Sequence, residues 1–219
     1  MSPIIEKIPA SMKKAVLSEK SGNVLVVGRM VYASLYTATR PSKSETNEKK
    51  FHYALKLLVP GVVDLAALEE EAQRLFEENV PEKKRATTQW RSPVRKTSEV
   101  QSLAGFADEY PFTLSPNSKA FQKDGKPRSA PGVVDHKGHP VPADLEADET
   151  YNGRWGRVSL NPYWYPPNDG LPGVSPGLVN VQLLWHDDPM AGGKVQASAE
   201  FDAVEGVDLE DMGSADEFA

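Results

Sequence analysis

The 219-residue chain contains no cysteine. This absence excludes disulfide bonds, thiolate catalysis and zinc sites built from cysteine. The chain also has no uninterrupted run of about eighteen apolar residues, so no segment is predicted to cross a membrane as a helix. Residues 1–15 lack the apolar stretch of a secretory signal. We therefore expect a protein without a membrane partner, located in the cytoplasm.

Catalytic motifs are also scarce. The phosphate-binding pattern Gly-x-x-x-x-Gly-Lys-Ser/Thr does not occur. Asp135, His136 and His139 have a spacing that can hold a metal ion, but Gly138 and Pro140 predict a turn there, and no further ligand completes the set. Chance spacing is the simpler interpretation, and a metal-dependent nuclease is a remote alternative. We expect a binding protein with no enzymatic activity and no cofactor.

The charge of the chain is unevenly distributed. Its formal net charge is −6, yet eight acidic residues and no basic residue follow Lys194. Residues 1–194 hold 25 basic residues against 23 acidic ones, a net charge of +2. A weakly basic body with a strongly acidic end is typical of nucleic-acid-binding proteins with an acidic tail. A tail that only increases solubility fits the same count.

The hydrophobic pattern predicts a fold built mainly from β-strands. Alternating or β-branched apolar residues predict strands over residues 22–39, 51–60, 151–166 and 177–187, with a short strand at Val133–Val134. Gly28 lies inside the first run and indicates a bulge or sharp bend. The 18 prolines and 16 glycines favour long loops, of which residues 166–176 are the richest example.

One convincing helix is predicted over residues 64–79. Asp64 can cap its N-terminus, and Pro81 marks its end. Its apolar stripe comprises Leu65, Leu68, Ala72, Leu75 and Phe76. The predicted domains are an N-terminal extension (1–21), a main domain (22–205) with an irregular basic insertion (83–128), and an acidic tail (206–219).

Aromatic and basic residues alternate along several of these segments. Single-stranded nucleic acid exposes bases that stack on flat rings and phosphates that attract cations. The predicted nucleic-acid-binding residues are Arg40, Lys43, Lys49, Lys50, Lys56, Lys83, Lys84, Arg85, Trp90, Arg91, Arg95, Lys96, Arg154, Trp155, Arg157, Tyr163 and Tyr165.

Strand parity predicts which of these rings face outward. If Val158 and Leu160 point into the core, then Trp155, Arg157 and Tyr163 point to solvent. A bulge at a neighbouring glycine would reverse that assignment, and packing in the core is the alternative for each ring.

Five segments together resemble the bacteriophage single-stranded DNA-binding proteins with an OB-fold. They are RMVYASLYTATRP, KKFHYALKLLVPG, YNGRWGRVSLNPYWY, GLVNVQLLWHDD and Ala199-Glu200-Phe201, so the resemblance covers roughly residues 22–203. It implies a five-stranded OB-like β-barrel with one amphipathic helix, and single-stranded DNA lying across one face. It also implies a role in phage replication or recombination inside the infected bacterial host.

The resemblance gives the acidic tail a second interpretation. Proteins of this kind often end in acidic residues with an aromatic ring near the terminus, which suits a basic, apolar pocket on a replication or recombination protein. The corresponding residues are Asp208, Glu210, Asp211, Asp216, Glu217 and Phe218. Ala219 departs from the pattern by moving the ring off the last position.

Three questions stay open in the sequence. One is whether duplex DNA is also bound, and another is whether the chain forms a homo-oligomer. The third is the function itself, because an OB-fold adaptor that recruits proteins through its tail, with a barrel that binds no DNA, is the main alternative.

Overall fold

The computed structural model describes residues 2–166 and 170–190, and one mixed sheet of nine strands dominates it. The strands are β1 (Val16–Leu17), β2 (Val24–Thr39), β3 (His52–Val59), β4 (Arg95–Lys96), β5 (Phe112–Leu114), β6 (Asn117–Lys119), β7 (Gly132–Val134), β8 (Trp155–Tyr165) and β9 (Gly173–Leu183). The α-helices are α1 (Ile4–Lys7), α2 (Ala66–Asn79), α3 (Glu82–Arg85) and α4 (Glu146–Glu149). Single 3₁₀ turns span Ala10–Met12, Glu48–Lys50, Thr97–Glu99, Ala104–Phe106 and Ala143–Leu145. The predicted mainly-β fold with one long helix is confirmed.

The long strand β2 has two main partners. Residues 24–29 pair with β8, and residues 29–39 pair with β3, both antiparallel. Strand β8 then pairs with β9 along residues 156–165. Strand β6 is antiparallel to β3 and parallel to β9, where Asn117 lies opposite Gly177. Of the remaining strands, β1 pairs with β2, β5 pairs with β3, β4 pairs with β5, and β7 pairs with β9.

Strands β2, β3 and β7 lie where the sequence predicts them, whereas β9 begins earlier than expected. Residues 173–176 were predicted as loop because they contain glycine and proline, yet they form the first part of β9. The strand is tolerated because Pro162 and Pro176 face each other across the β8–β9 pair. The two missing N–H donors therefore fall at one position of the ladder.

Helix α2 packs on the body of the protein through the predicted apolar stripe. Leu68, Ala72 and Phe76 are buried, and the Asp64 carboxylate accepts a hydrogen bond from the N–H of Ala66 at 2.8 Å. The segment 83–128 contains short elements as expected, but β5 and β6 pair directly with β3. It therefore completes the sheet rather than forming an appendage. No helix in residues 2–166 and 170–190 combines the length and apolarity needed to cross a membrane.

The N-terminal residues pack on the body of the protein. Ile5 and Ile8 are buried in the main core, and Val16–Leu17 pairs with β2. Segment 2–21 is thus part of the same core within the described residues.

A buried polar network links Ser2, Arg29 of β2 and Trp155 of β8 to Asp187, which follows β9. The Asp187 carboxylate accepts a 2.9 Å hydrogen bond from the Trp155 indole and a hydrogen bond from the Ser2 hydroxyl, and it lies 3.5 Å from the Arg29 guanidinium. Burial alone would raise the pKa of Asp187. The hydrogen bonds from Ser2, Trp155 and the N–H of Asp188, together with the Arg29 charge, outweigh burial and hold that pKa below its usual value.

Asp187→Asn should lower the free energy of unfolding at pH 7 by about 3 kcal/mol, because it leaves the buried Arg29 charge without its counter-ion. Since the folded-state pKa is depressed, this stabilisation is present above the unfolded pKa of about 3.9 and is lost as the pH falls through the folded value. Urea unfolding across pH 2–7 measures both effects. The exposed Asp108→Asn is the control, and a difference from wild type that does not shrink below pH 4 would contradict this account.

Candidate nucleic-acid interface

Alternate side chains of β8 line three adjacent grooves on the outer surface of the β8–β9 pair. These side chains are Arg157, Ser159, Asn161, Tyr163 and Tyr165. Because each strand residue advances about 3.3 Å, the surface extends roughly 26 Å along β8. We call the three grooves together the basic face, because nearly all of the charged side chains that line them are basic.

The Lys56 groove lies at the Tyr165 end and encloses about 810 Å³. Its cations are Lys56, Arg91, Arg95 and Lys96. The Lys56 ammonium is half-buried and donates a 2.7 Å hydrogen bond to the Ser115 hydroxyl. Burial lowers the pKa of Lys56, and the nearby charge of Arg95 lowers it further. An anion placed here would relieve that repulsion.

The Arg128 groove is the middle one and encloses about 940 Å³. Lys119, Gln122 and Arg128 line it from one side, and Asn161 and Tyr163 line it from β8. Neither Lys119 nor Arg128 was predicted as a binding residue. The signal that could have found them is the density of cations in residues 119–128, next to the turn at Gly125.

The Arg157 groove lies at the other end of the surface. Arg157 and Ser159 line it from β8, and Asn180 and Gln182 line it from β9. Arg157 lies opposite Gln182 in the β8–β9 register. Its outward direction agrees with the parity prediction.

Two tyrosines lie over glycines of the neighbouring strand. A Cβ at Gly177 would stand 3.3 Å from the Tyr163 ring and 2.5 Å from the Asn161 carbonyl oxygen. A Cβ at Gly173 would stand 2.6 Å from the Tyr165 hydroxyl. The glycines therefore leave a shallow floor on which both rings lie, and 43% of Tyr163 stays exposed. Flat, partly exposed rings of this kind can stack on bases.

The charge of the basic face is strongly one-sided. Seven cationic side chains line the three grooves: Lys56, Arg91, Arg95, Lys96, Lys119, Arg128 and Arg157. Glu99 is the single carboxylate among the lining residues. Clustered cations in a cleft raise the local concentration of anionic ligands.

Trp155 and Arg154, two of the predicted binding residues, are buried in the structure. Trp155 is fully buried, because Tyr110 and Trp185 cover its outer side with ring centroids 6.2 and 6.4 Å away. The prediction that Trp155 faces solvent is therefore wrong. Arg154 is 4% exposed and forms a 3.2 Å ion pair with Glu149, so a carboxylate of the protein itself neutralises its positive charge.

Trp90 and the preceding cations also lie off the basic face. Trp90 stacks on Phe76 of α2 at a centroid distance of 5.1 Å, and it lines a different groove with acidic residues of that helix. Arg85 donates hydrogen bonds to the carbonyls of Glu77 and Val80 and so caps the end of α2. Lys83 and Lys84 are exposed on α3 and line none of the three grooves.

The loop between β2 and β3 carries the remaining predicted cations. Arg40 and Lys43 are exposed, Lys50 forms a 2.7 Å ion pair with Glu45, and the Lys49 side chain lies against the turn at Gly125. None of these four cations lines the basic face.

Two other sets of predicted residues have different outcomes. The tail residues from Asp208 to Phe218 lie outside the described residues.

Asp135 accepts backbone hydrogen bonds from Lys137 and His139, which organises the turn before Pro140. In residues 2–166 and 170–190, no group of three His, Asp or Glu side chains could hold a metal ion.

Comparisons with known proteins point in one direction. Solved structures of phage proteins share this fold. The single-stranded DNA-binding protein from bacteriophage Enc34 is 18% identical, with a TM-score of 0.57 over 87% of this chain and 95% of that one. The same phage protein in complex with ssDNA is 19% identical, with a TM-score of 0.58 over 82% and 94%. The gp2.5 single-stranded DNA-binding protein encoded by bacteriophage T7 is 16% identical, with a TM-score of 0.51 over 82% and 98%.

No curated protein matches the chain. A family model does match, over residues 22–213, and it is described as the ssDNA-binding protein of Enterobacter phage Enc34. Since the match spans most of the 219 residues, this chain belongs to the Enc34-type family of phage ssDNA-binding proteins.

Proposed function

We propose that this chain binds single-stranded DNA along the basic face without sequence preference. The observation that carries the proposal is the alignment of Tyr163 and Tyr165 on one surface with seven cations and one carboxylate. Rings stack on any base, and cations neutralise any phosphate, so such a surface binds strands of any sequence. The family description, and the related phage protein solved with ssDNA, support the same ligand.

The fold that presents this surface is, in our proposal, a five-stranded OB-like barrel. Five pairings support it: β2 with β3, β3 with β6, β6 with β9, β9 with β8, and β8 with β2. The β6–β9 pair is parallel and the other four are antiparallel. OB barrels use one face and the loops beside it to bind oligonucleotides.

The binding mechanism follows from the chemistry of the grooves. Phosphates would lie against Lys56 and Arg95 at one end and against Lys119 and Arg128 in the middle. Bases would stack on the two tyrosines between them. The asparagines and serines of the grooves can donate to or accept from either bases or sugars, which adds affinity without fixing one sequence.

The biological role we propose is to coat and present single strands during phage replication or recombination in the cytoplasm of the infected bacterium. The chain would act as a binding protein and not as an enzyme, with the acidic tail recruiting replication or recombination proteins. The eight acidic residues after Lys194 support a second role, which is competition with DNA for the basic face.

Tyr163→Ala and Tyr165→Ala should each weaken binding to an oligo-dT by about 1–3 kcal/mol, the usual contribution of one base–aromatic stack. Fluorescence anisotropy measures the affinity, and thermal unfolding checks that each variant folds. Tyr32→Ala is the matched control, because Tyr32 is also exposed but lies off the basic face. Unchanged affinity in both groove variants would refute the stacking role. No binding by wild type at low salt would favour the adaptor alternative.

Arg95→Ala and Lys96→Ala should each reduce the steepness of the salt dependence. Each phosphate contact contributes about 0.7 to the slope of log K against log salt concentration on single strands, because neutralised phosphates release counter-ions. Titrations at four salt concentrations measure this slope. Lys83→Ala and Lys84→Ala should leave it unchanged, and equal losses in both pairs of variants would show that the cations act only through net charge.

Deletion of residues 207–219 should tighten binding to single strands, most strongly at low salt. The deletion removes acidic residues and no basic ones, so it removes a competitor for the cations of the basic face. Anisotropy with the full chain and a chain ending at Gly206 measures the difference. An affinity that stays equal or falls would rule out competition by the tail.

A further inference from the structure

Two charged surfaces remain outside the basic face, and they have opposite signs. One is the groove between helix α2 and Trp90, which we call the α2 groove. The other is the loop of residues 40–50 between β2 and β3, which we call the basic loop.

The α2 groove has an apolar floor and an acidic rim. Ala72 and Trp90 form the floor, and Glu69, Glu70 and Glu77 stand on the rim. The groove encloses about 600 Å³. Within the described part of the chain, none of these three carboxylates is paired with a cation.

Arg74 does not offset this negative charge. It is the only basic residue of α2, and its guanidinium is bound between Glu71 and Glu78. Those hydrogen bonds raise the pKa of Arg74, and they leave Glu69, Glu70 and Glu77 without a cation on their own helix.

The basic loop has the complementary composition. It holds four cations, Arg40, Lys43, Lys49 and Lys50, against Glu45 and Glu48. Glu45 is paired with Lys50. Arg40 and Lys43 stay exposed and line none of the grooves of the basic face.

The two surfaces adjoin different grooves of the basic face. Ser92 lines both the α2 groove and the Lys56 groove, so these two grooves adjoin. Asn117 lines both the Lys56 groove and the Arg128 groove. Gln122 of the Arg128 groove belongs to the turn whose Gly125 lies against Lys49 of the basic loop. A strand that lies in the Lys56 and Arg128 grooves therefore has the α2 groove beside the first of them and the basic loop beside the second.

We propose that neighbouring copies of this chain on one DNA strand contact each other head to tail, with the basic loop of one copy in the α2 groove of the next. The inference rests on the proposed DNA path. A contact between two different surfaces does not close on itself, so it generates an open row of copies along the strand. The charges fit, because carboxylates at the rim meet cations of the loop while Trp90 offers a face to Arg40 or Lys43.

This contact makes binding to long strands cooperative and sensitive to salt, while binding of a single copy to a short strand is unaffected by it. Both surfaces are solvent-exposed, so the attraction between them is screened as ionic strength rises. Cooperativity should therefore disappear at a lower salt concentration than DNA binding itself.

The test compares wild type with charge-reversal variants of the full chain. One variant carries Glu70→Lys and Glu77→Lys, a second carries Lys43→Glu and Lys49→Glu, and a third combines all four changes. A variant with Glu6→Lys and Glu19→Lys changes two exposed acids elsewhere and is the net-charge control for the Glu70→Lys, Glu77→Lys variant. Each protein is titrated onto an oligo-dT that holds one copy and onto a poly-dT that holds many.

Wild type and the net-charge control should bind poly-dT cooperatively. Each two-residue reversal in the α2 groove or the basic loop should lower the cooperativity about tenfold with short-strand affinity nearly kept, and the four-residue variant should restore it. Non-cooperative wild type, or full cooperativity in the Glu70→Lys, Glu77→Lys variant, would overturn the proposal. A loop variant that loses short-strand affinity would also overturn it, since the loop would then bind DNA. Failure of wild type on the short strand would instead refute the proposed function itself.

Discussion

The whole architecture depends on one strand changing partners. Strand β2 pairs with β8 up to Arg29 and with β3 from Arg29 onwards. At this crossing the backbones come so close that a Cβ at Gly28 would lie 2.6 Å from the Leu58 carbonyl oxygen and 2.8 Å from the Leu57 side chain. Only glycine fits this approach. Without the crossing, β2 could not connect the two halves of the sheet, and β8 and β9 would not meet β6.

The buried network at Arg29 holds the crossing in place. Arg29 donates to the Gly153 carbonyl at 2.8 Å, lies 3.5 Å from the Asp187 carboxylate and donates to the Tyr110 hydroxyl at 3.3 Å. Burial raises the pKa of Tyr110 to about 12, so the hydroxyl stays protonated and neutral beside this cation. The network leaves Trp155 buried at one end of β8, which means that only the later part of that strand can carry an exposed binding surface.

Charge is then separated between two sides of the molecule. Arg91 lies beside β9 and lines the Lys56 groove, while its neighbour Trp90 packs on α2 among carboxylates. Because successive residues of an extended segment point to opposite sides, one short stretch supplies both a cation of the basic face and part of an acidic groove.

The sequence predicted the fold better than the site. Alternation in residues 51–60 and the apolar stripe of α2 were sufficient for β3 and the helix, because both patterns reflect burial directly. Strand parity predicted that the Trp155 side chain is exposed. The prediction was wrong because Tyr110 and Trp185, which cover that side chain, come from distant parts of the chain. Proline and glycine in residues 173–176 predict a loop. These residues form the start of β9 only because they pair with β8.

The strand that carries Lys119 was missed for a related reason. It is three residues long and has no readable periodicity, although its pairing with β3 brings Lys119 to the basic face. The cations of the basic loop, which are also predicted binding residues, line none of the three grooves. Their positive charge was a correct observation, but their position relative to the grooves depends on the turn at Gly125, which the sequence pattern does not locate.

Single strands should lie on the tyrosines of β8. Photo-crosslinking of the full chain to an oligonucleotide that carries 5-iodouracil, followed by mass spectrometry of the modified peptides, tests this expectation most directly. Crosslinks are expected at Tyr163 and Tyr165. Crosslinks concentrated at Trp90, or no crosslinks on β8 under conditions where the DNA is bound, would contradict it.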